Sequence, residues 1–362
     1  VRRAALAAAL VAAACARANG DLVLRPEPLG PPSAPAPVAA RVIHIADFGD
    51  DTRQQAQVAA GMATLSRAAP VDLVLSPGDN VYECGPDPKL AGAEACTFAP
   101  DGNQVAPGFV PPADPSFEKL FERPLSGVNR GGKPVPVLLT LGNHDVNPRG
   151  ECSAGSDEIA VGRRKACLSV AHRSPRWSMP GRHWVQDLGP ARFIGIDSNL
   201  LRRDYGGFSF DDEVAFVAEA AKPCTEKPCF IVAHHPSFSA GEHRPDATPE
   251  YLARVKRIEE AAGPIAAWLA GHEHQLEHLR APTGYDVFVS GNTSRGRPGE
   301  KFDGVSAPGA RLLFASTLWG FGVLELGEGG GWSYRFLDHR GKPIQCCTAV
   351  ARGPCRPVVC PP

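Results

Sequence analysis

The sequence predicts one α/β domain whose sheets gain antiparallel strands toward the C-terminus, and three observations carry the prediction. Short apolar, β-rich runs alternate with segments of helical periodicity from about residue 41 onward. The helical segments stop after Tyr285 while strand-like runs continue. With 362 residues, 43% hydrophobic and 21% charged, the chain has enough apolar material for a sizeable core, which excludes disorder as its main state.

In chain order, Val42 to Ala46 reads as a strand, Gln54 to Ala68 as a helix and Leu73 to Ser76 as a strand. A helix is expected near Phe117 and a strand from Val135 to Leu141. After an insertion come a strand at Ala191 to Ile196, a helix from Asp211 to Ala221 capped by Asp211, and a strand at Phe230 to Ala233. Pro249 to Ala262 then reads as a helix and Ile265 to Ala270 as a strand. Val287 to Ser290, Phe321 to Leu326 and Trp332 to Leu337 make the strand-rich end, and there is no internal repeat. The segments Glu83 to Pro115 and Asn147 to Arg182 are Pro/Gly-rich and are expected as long loops framing a site, each holding one disulfide.

Flanking regions set the compartment. Arg2 and Arg3 precede an uncharged, Ala-rich run from Ala4 to Ala16, and Ala16-Arg17-Ala18 has a small-x-small form, so residues 1–18 are expected to be an export signal. Lipid attachment at Cys15 is the alternative. The 13-residue run is too short to span a bilayer and no later stretch reaches about 18 apolar residues, so a secreted or periplasmic protein is expected. Residues 19–40 hold six prolines between Pro26 and Pro37 and read as an extended tether ahead of a domain at 41–343. Behind the signal remain ten cysteines, an even number that reads as disulfides, with Cys84/Cys96, Cys152/Cys167 and Cys224/Cys229 as the short-loop pairs. The others, Cys346, Cys347, Cys355 and Cys360, staple a tail at 344–362; adjacent cysteines lack the spacing of a structural zinc site. With 38 Lys+Arg against 39 Asp+Glu the chain has no basic footprint for wrapping nucleic acid.

Five of the expected strands run directly into clusters of metal-ligating residue types, and ligands of α/β folds gather beyond strand carboxyl ends. The clusters are Asp47-Phe48-Gly49, Gly78-Asp79-Asn80-Val81-Tyr82, Gly142-Asn143-His144-Asp145, His234-His235-Pro236 and Gly271-His272-Glu273-His274. Singly, each has an ordinary reading: Asp47 as a helix cap, Asp79 and Asn143 as turn residues, His234 as a core histidine. Together they supply the carboxylates, amide, phenol and imidazoles of a two-metal site, which clamps an in-line displacement at phosphorus and generates hydroxide near neutral pH. Glycines beside Asp79, Asn143 and His272 let short side chains reach a shared point.

These ordered clusters resemble the calcineurin-like metallophosphoesterases, and Gly78-Asp79-x-x-Tyr82 resembles the purple acid phosphatases. Pro175-Arg176-Trp177, Gly241-Glu242-His243, Gly271 to Leu276 and Gly320 to Pro343 are similar to the small tartrate-resistant type. The resemblance covers about Val42 to Lys342. It implies a β-sandwich of two mixed sheets flanked by helices, in one domain. It also implies iron(III) on Asp47, Asp79, Tyr82 and His274, and iron(II), zinc or manganese on Asp79, Asn143, His234 and His272, with Asp79 bridging. His234 rather than His235 follows from the family's His-x-Pro register. Tyr82, as a phenolate ligand, predicts colour and activity at acid pH, and His144 and His243 are the candidates to stabilise charge or protonate the leaving group.

Two departures stand out. Val146 takes the place of a histidine that close animal relatives carry after Asn-His-Asp, leaving His243 to compensate, and the inserted loops match no part of the family. The leading reading is a secreted, monomeric acid phosphatase for small phosphomonoesters. The alternatives are a phosphodiesterase or nucleotidase with the same metals, and a non-catalytic binding protein on this fold. A disulfide-stapled structural module is weaker, since ten cysteines are too sparse to replace a core. His44, His172, His183, His278 (one helical turn beyond His274) and His339 read as structural or exposed. Asn292-Thr293-Ser294 fits a glycosylation sequon that a bacterial source would leave unmodified.

Overall fold

The computed structural model describes residues 16–18, 21–25, 27–31, 37–155, 157–297, 302 and 304–361. The run from Ala4 through Cys15, expected as the body of a leader, lies outside the described residues, as does the middle of the proline-rich segment. The Ala16-Arg17-Ala18 motif pairs with Asp21–Leu24 as a short antiparallel strand. Among the described residues no helix is long and apolar enough to cross a membrane.

Two large mixed sheets face one another. The centre of the first runs in the order Trp332–Asp338, Gly320–Gly327, Val38–His44, Leu73–Pro77, Val137–Thr140. The centre of the second runs Leu276–Arg280, Asp286–Ser290, Ala267–Ala270, Cys229–Val232, Ala191–Gly195. Side chains alternate across each strand. Val42, Leu75, Phe193, Phe230, Leu269 and Phe336 pack between the sheets. Their sequence neighbours Ile43, Val74, Ile194, Ile231 and Trp268 point outward into a second apolar layer under the helices, against Val58, Met62, Val217, Val255 and Ile258. Strands buried on both faces read as continuous apolar runs, which is why they were visible in sequence. The single-domain, two-sheet expectation therefore holds. The first sheet also continues past residue 343, through Pro343–Ala349 and Arg356–Val358.

The expected helices form as Arg53–Ala68, Phe210–Ala220 and Pro249–Ala262. Thr52 caps the first by accepting from the Gln55 backbone N–H, and Thr248 caps the third with Pro249 in its first turn. The cap of Phe210–Ala220 is Ser209, not Asp211, because Ser209 is the last extended residue and accepts from Asp211's N–H. Asp211 instead stands in the first turn and pairs with Arg257. His278 lies in the Leu276–Arg280 strand rather than on a helix, buried between Asp286 and Gln345.

The larger correction concerns the insertions. The second contains a helix, Glu158–Ala171, capped by Asp157. Its last seven residues are all buried, so no polar face marks a helical period. The insertions are not closed individually: the bridges are Cys84–Cys152 and Cys96–Cys167, each joining one insertion to the other. Lys165 sits between them, its ammonium donating to the carbonyls of Cys84 (2.8 Å), Asn147 (2.5 Å) and Cys152 (3.0 Å). Burial lowers its pKa to about 8, so it remains charged at neutral and acid pH. Cys224–Cys229 pairs as expected, and the tail carries Cys346–Cys360 and Cys347–Cys355.

His44, fully buried with Nδ1 2.8 Å from the Tyr334 hydroxyl, gives the fold a pH dependence. Burial drives its pKa from 6.5 to about 3, against a smaller opposing pull from a backbone hydrogen bond to Ala270. Between those values the unfolded chain binds the proton and the folded one does not, so stability falls as pH drops through the window. This group alone should cost about 2 kcal/mol between pH 7 and pH 5. His44→Asn should flatten the urea-midpoint slope over that range, and an unchanged slope would refute the assignment.

Candidate metal centre

The parallel pairing of Val38–His44, Leu73–Pro77 and Val137–Thr140 sets three carboxyl ends side by side. Asp47, Asp79 and Asn143 follow those ends. Cys229–Val232 and Ala267–Ala270, also parallel, deliver His234, His272 and His274 from the other sheet. Asp47, Asp79 and His272 hold left-handed backbone, with φ of 55°, 52° and 70°, a conformation in which non-glycine residues are uncommon and which clusters at functional sites. The flanking glycines act in two ways. Gly78 supplies a positive φ of 87°. Gly142 and Gly271 instead make room, since a Cβ on them would lie 2.1 Å from Asp79 Oδ1 and 2.6 Å from Asp47 Oδ2.

Tyr82 is the hub. Its hydroxyl donates toward Asp79 Oδ2 (2.9 Å) and Asp47 Oδ1 (3.0 Å) and lies 3.3 Å from His274 Nε2. On the other side of Asp79, His234 Nε2 is 3.5 Å from Oδ1 and 2.9 Å from Asn143 Oδ1. His234 Nδ1 lies 3.0 Å from the Pro77 carbonyl, an acceptor, which fixes the proton on Nδ1 and leaves the Nε2 lone pair free. Asp47, Asp79 and His234 have ligand atoms within 4.8 Å of one another, and so do His234, His235 and His272. His235 stands behind His234, with Nδ1 on the Ser198 hydroxyl and Nε2 buried without a hydrogen-bond partner among the described residues.

The electrostatics favour a cation. Burial and the neighbouring Asp79 push Asp47's carboxyl well above its usual range. Asp79 is opposed by burial but drawn down by His234 and His144, and ends below its ordinary value. Burial lowers His234 and His272, and holds His274 at about 3, which favours the neutral imidazoles that can act as ligands. His272 Nε2 is buried with no hydrogen-bond partner among the described residues. Among the described residues no lysine or arginine contacts either aspartate. Two buried carboxylates, three imidazoles and an amide oxygen are a surplus of lone pairs that metal ions would satisfy. The donor set therefore fits the group.

The two candidate catalytic histidines lie at the rim. His144 Nδ1 bonds the Glu83 carbonyl at 2.8 Å, and its ring centroid is 4.6 Å from that of Tyr82. His243 Nδ1 is 3.2 Å from Glu273 Oε2, and its ring centroid is 4.3 Å from that of His272. Burial pulls His243's pKa down, but the Glu273 carboxylate outweighs it and the net shift is upward.

Several supporting roles escaped the sequence reading. Asp145 accepts from the backbone N–H groups of Asn80, Val81 and Gly142, tying two ligand loops together. Burial and Asp79 raise its pKa to about 7. Asp197, Ser198 and Asn199 are a further strand-end cluster: Asn199 Nδ2 reaches the Leu141 and Gly142 carbonyls, and Ser198 holds His235. The signal was there, since Ala191 to Ile196 runs straight into Asp-Ser-Asn. The Asn292-Thr293-Ser294 sequon is buried: Asn292 donates to the Thr317 and Leu318 carbonyls, and Thr293 and Ser294 bond the carbonyls of Ala46 and Asp47. Arg295 lies over the Tyr82 ring, 3.9 Å from its centroid, and pairs with Asp50 and Glu83. Val146 is buried in the core under the second insertion.

The calcineurin-like phosphoesterase model matches residues 40–276. Tartrate-resistant acid phosphatase type 5 of Rattus norvegicus is 22% identical over 333 residues, 84% of this chain and 88% of its own length. The Homo sapiens protein of that name is 21% identical over 335 residues, 84% of this chain and 89% of its own. In structure the chain is similar to GAP50, the anchor in the inner membrane complex of Plasmodium, with TM-score 0.62, 18% identity, and coverage of 86% of this chain and 89% of that one. It is also similar to purple acid phosphatase PPD1 from yellow lupin (Lupinus luteus) seeds, with TM-score 0.58, 13% identity, and coverage of 91% and 58%. At such identities these two structures speak for the fold alone. The match of the family model over most of the chain, on the fold and the clustered donors described above, places the protein in the calcineurin-like phosphoesterase family.

Proposed function

We propose that the protein is an exported acid phosphatase of the purple type, hydrolysing small phosphomonoesters with an iron(III) ion paired with iron(II), zinc or manganese. Asp47, Asp79, Tyr82 and His274 would hold the first ion, and Asp79, Asn143, His234 and His272 the second. The observation that carries the reading is the Tyr82 hydroxyl, within 3.3 Å of Asp47, Asp79 and His274, because a phenol at that place is what separates an iron(III) site from a pair of divalent ions. When bound, such a pair supplies Lewis acidity toward phosphate oxygens and lowers the pKa of water. The protein's own part is to position. Asp145 fixes the Asp79 and Asn143 loops against each other, and the Pro77 carbonyl keeps His234 Nε2 directed to the site. Glu273 holds His243 by Nδ1, leaving Nε2 to meet the leaving oxygen, while His144 is aimed by Glu83 toward the phosphoryl group.

The test combines metal content, visible spectrum and pH profile on an aryl phosphomonoester. About two ions per chain, a visible charge-transfer band and an acidic optimum are expected. Tyr82→Phe should bleach the band and leave the melting temperature nearly unchanged. A colourless protein with two divalent ions would remove the iron assignment, faster turnover of a diester would favour the phosphodiesterase reading, and neither metal nor turnover would overturn the proposal.

A further inference from the structure

Three cavities border the ligand cluster; the smallest, at His243 and His272, holds only about 20 Å³, and the two larger ones differ in charge. The one beside Tyr82 is lined by Asp50, Asp51, Asp87, Asp114 and Glu118, which outnumber its two basic groups. The other opens beside Asn143, encloses about 520 Å³ and is lined by Arg149, Arg202 and Arg203 against Glu158 and Asp204. Its volume is in the range of small-molecule sites.

Most of those charges are already answered. Arg149 pairs with Glu158, Asp204 with Arg254, and Arg202 with Asp246, whose carboxylate lies 3.5 Å from His272 Nε2. Arg203 differs: among the described residues its guanidinium makes no ion pair, and burial, Arg149 and Arg202 lower its pKa against an opposing pull from Glu158, so that the net shift is downward. An unanswered guanidinium, crowded by other cations at the mouth of a cavity that borders the ligand cluster, is a place for an anion.

We propose that this cavity selects phosphomonoesters whose leaving group carries a second anionic group, a carboxylate or another phosphoryl, held by Arg203. The proposal rests on the phosphatase reading and deepens it. Asn143 belongs to both the ligand cluster and the cavity wall, so the cavity opens beside an ester held at the cluster and can receive the far end of its leaving group. The acidic cavity beside Tyr82 repels the same anion. Val146, together with Tyr205 and Ile159, gives the cavity an apolar wall, and the arginines supply its positive charge.

The experiment compares glycerol 3-phosphate, 3-phosphoglycerate and propane-1,3-diyl bisphosphate on the metal-loaded wild type and on Arg203→Gln. The wild type should favour both anionic esters by about tenfold in kcat/KM, as a charge-assisted contact supplies. Arg203→Gln should abolish that preference through KM, with glycerol 3-phosphate within about twofold of wild type. Preference for one anionic ester alone would identify carboxylate or phosphoryl as the ligand. No preference in the wild type, or an equal loss on all three esters, would overturn the proposal. Calorimetric binding of 3-phosphoglycerate separates the two readings. If no ester is turned over, the phosphatase reading fails, while weaker binding by Arg203→Gln still supports the anion site and equal binding removes it.

Discussion

Asp79→Asn should empty the site while leaving the fold intact. The proposed bridging carboxylate becomes a neutral amide, so metal content should fall below one ion per chain. Activity on an aryl phosphomonoester should drop by more than about 100-fold, beyond the 10–100-fold that loss of a group behind a ligand costs. The stability of the metal-free fold should change little. Without metal, burial and Asp79 push the Asp47 carboxyl up, so neutralising Asp79 relieves Asp47, but Asp79 is itself held below its ordinary value by His234 and His144, an attraction the amide gives up. Asparagine tolerates the φ of 52° and keeps an oxygen for the His144 N–H. The expected result is a metal-free melting temperature close to that of the wild type, with a smaller rise on adding metal. Full metal content in the variant would show that Asp79 does not bridge.

The second large effect is expected from the crossed disulfides. Cys84 is two residues after Tyr82, and Cys152 lies in the insertion that begins just beyond His144, so this bridge ties two ligand loops together. It spans 68 residues and Cys96–Cys167 spans 71, whereas Cys224–Cys229 spans 5. In the chain-entropy description each long bridge contributes about 4 kcal/mol and the short one about 2. Replacing Cys84 and Cys152 together by serine should therefore cost roughly twice what the same change at Cys224 and Cys229 costs in denaturant unfolding, and should also impair metal retention. Peptide mapping of the oxidised protein should recover Cys84 linked to Cys152. Recovery of Cys84 linked to Cys96 would refute this arrangement.

The sheet strands could be read from sequence because burial on both faces makes them continuous apolar runs, and the ligand clusters because each follows such a run. What was not legible depends on partners far away in the chain. Proximity in sequence suggested Cys84 with Cys96, but the insertions pack on each other, so the bridges cross between them. Glu158–Ala171 hid because packing surrounds its C-terminal half. Asp145 and Asn199 carry ordinary turn chemistry in sequence. Their importance lies in backbone groups about 60 residues distant that they hold beneath the candidate ligands.

The candidate ligands are drawn from both layers of the sandwich: Asp47, Asp79 and Asn143 from one sheet, His234, His272 and His274 from the other. Neither layer owns a site by itself. Ion capture would therefore be a checkpoint on assembly, closed to any chain whose layers have not docked. Ions, once seated, would act as rivets through the sandwich, so that a protease or a chelator would have to wait for the same rare parting of the layers.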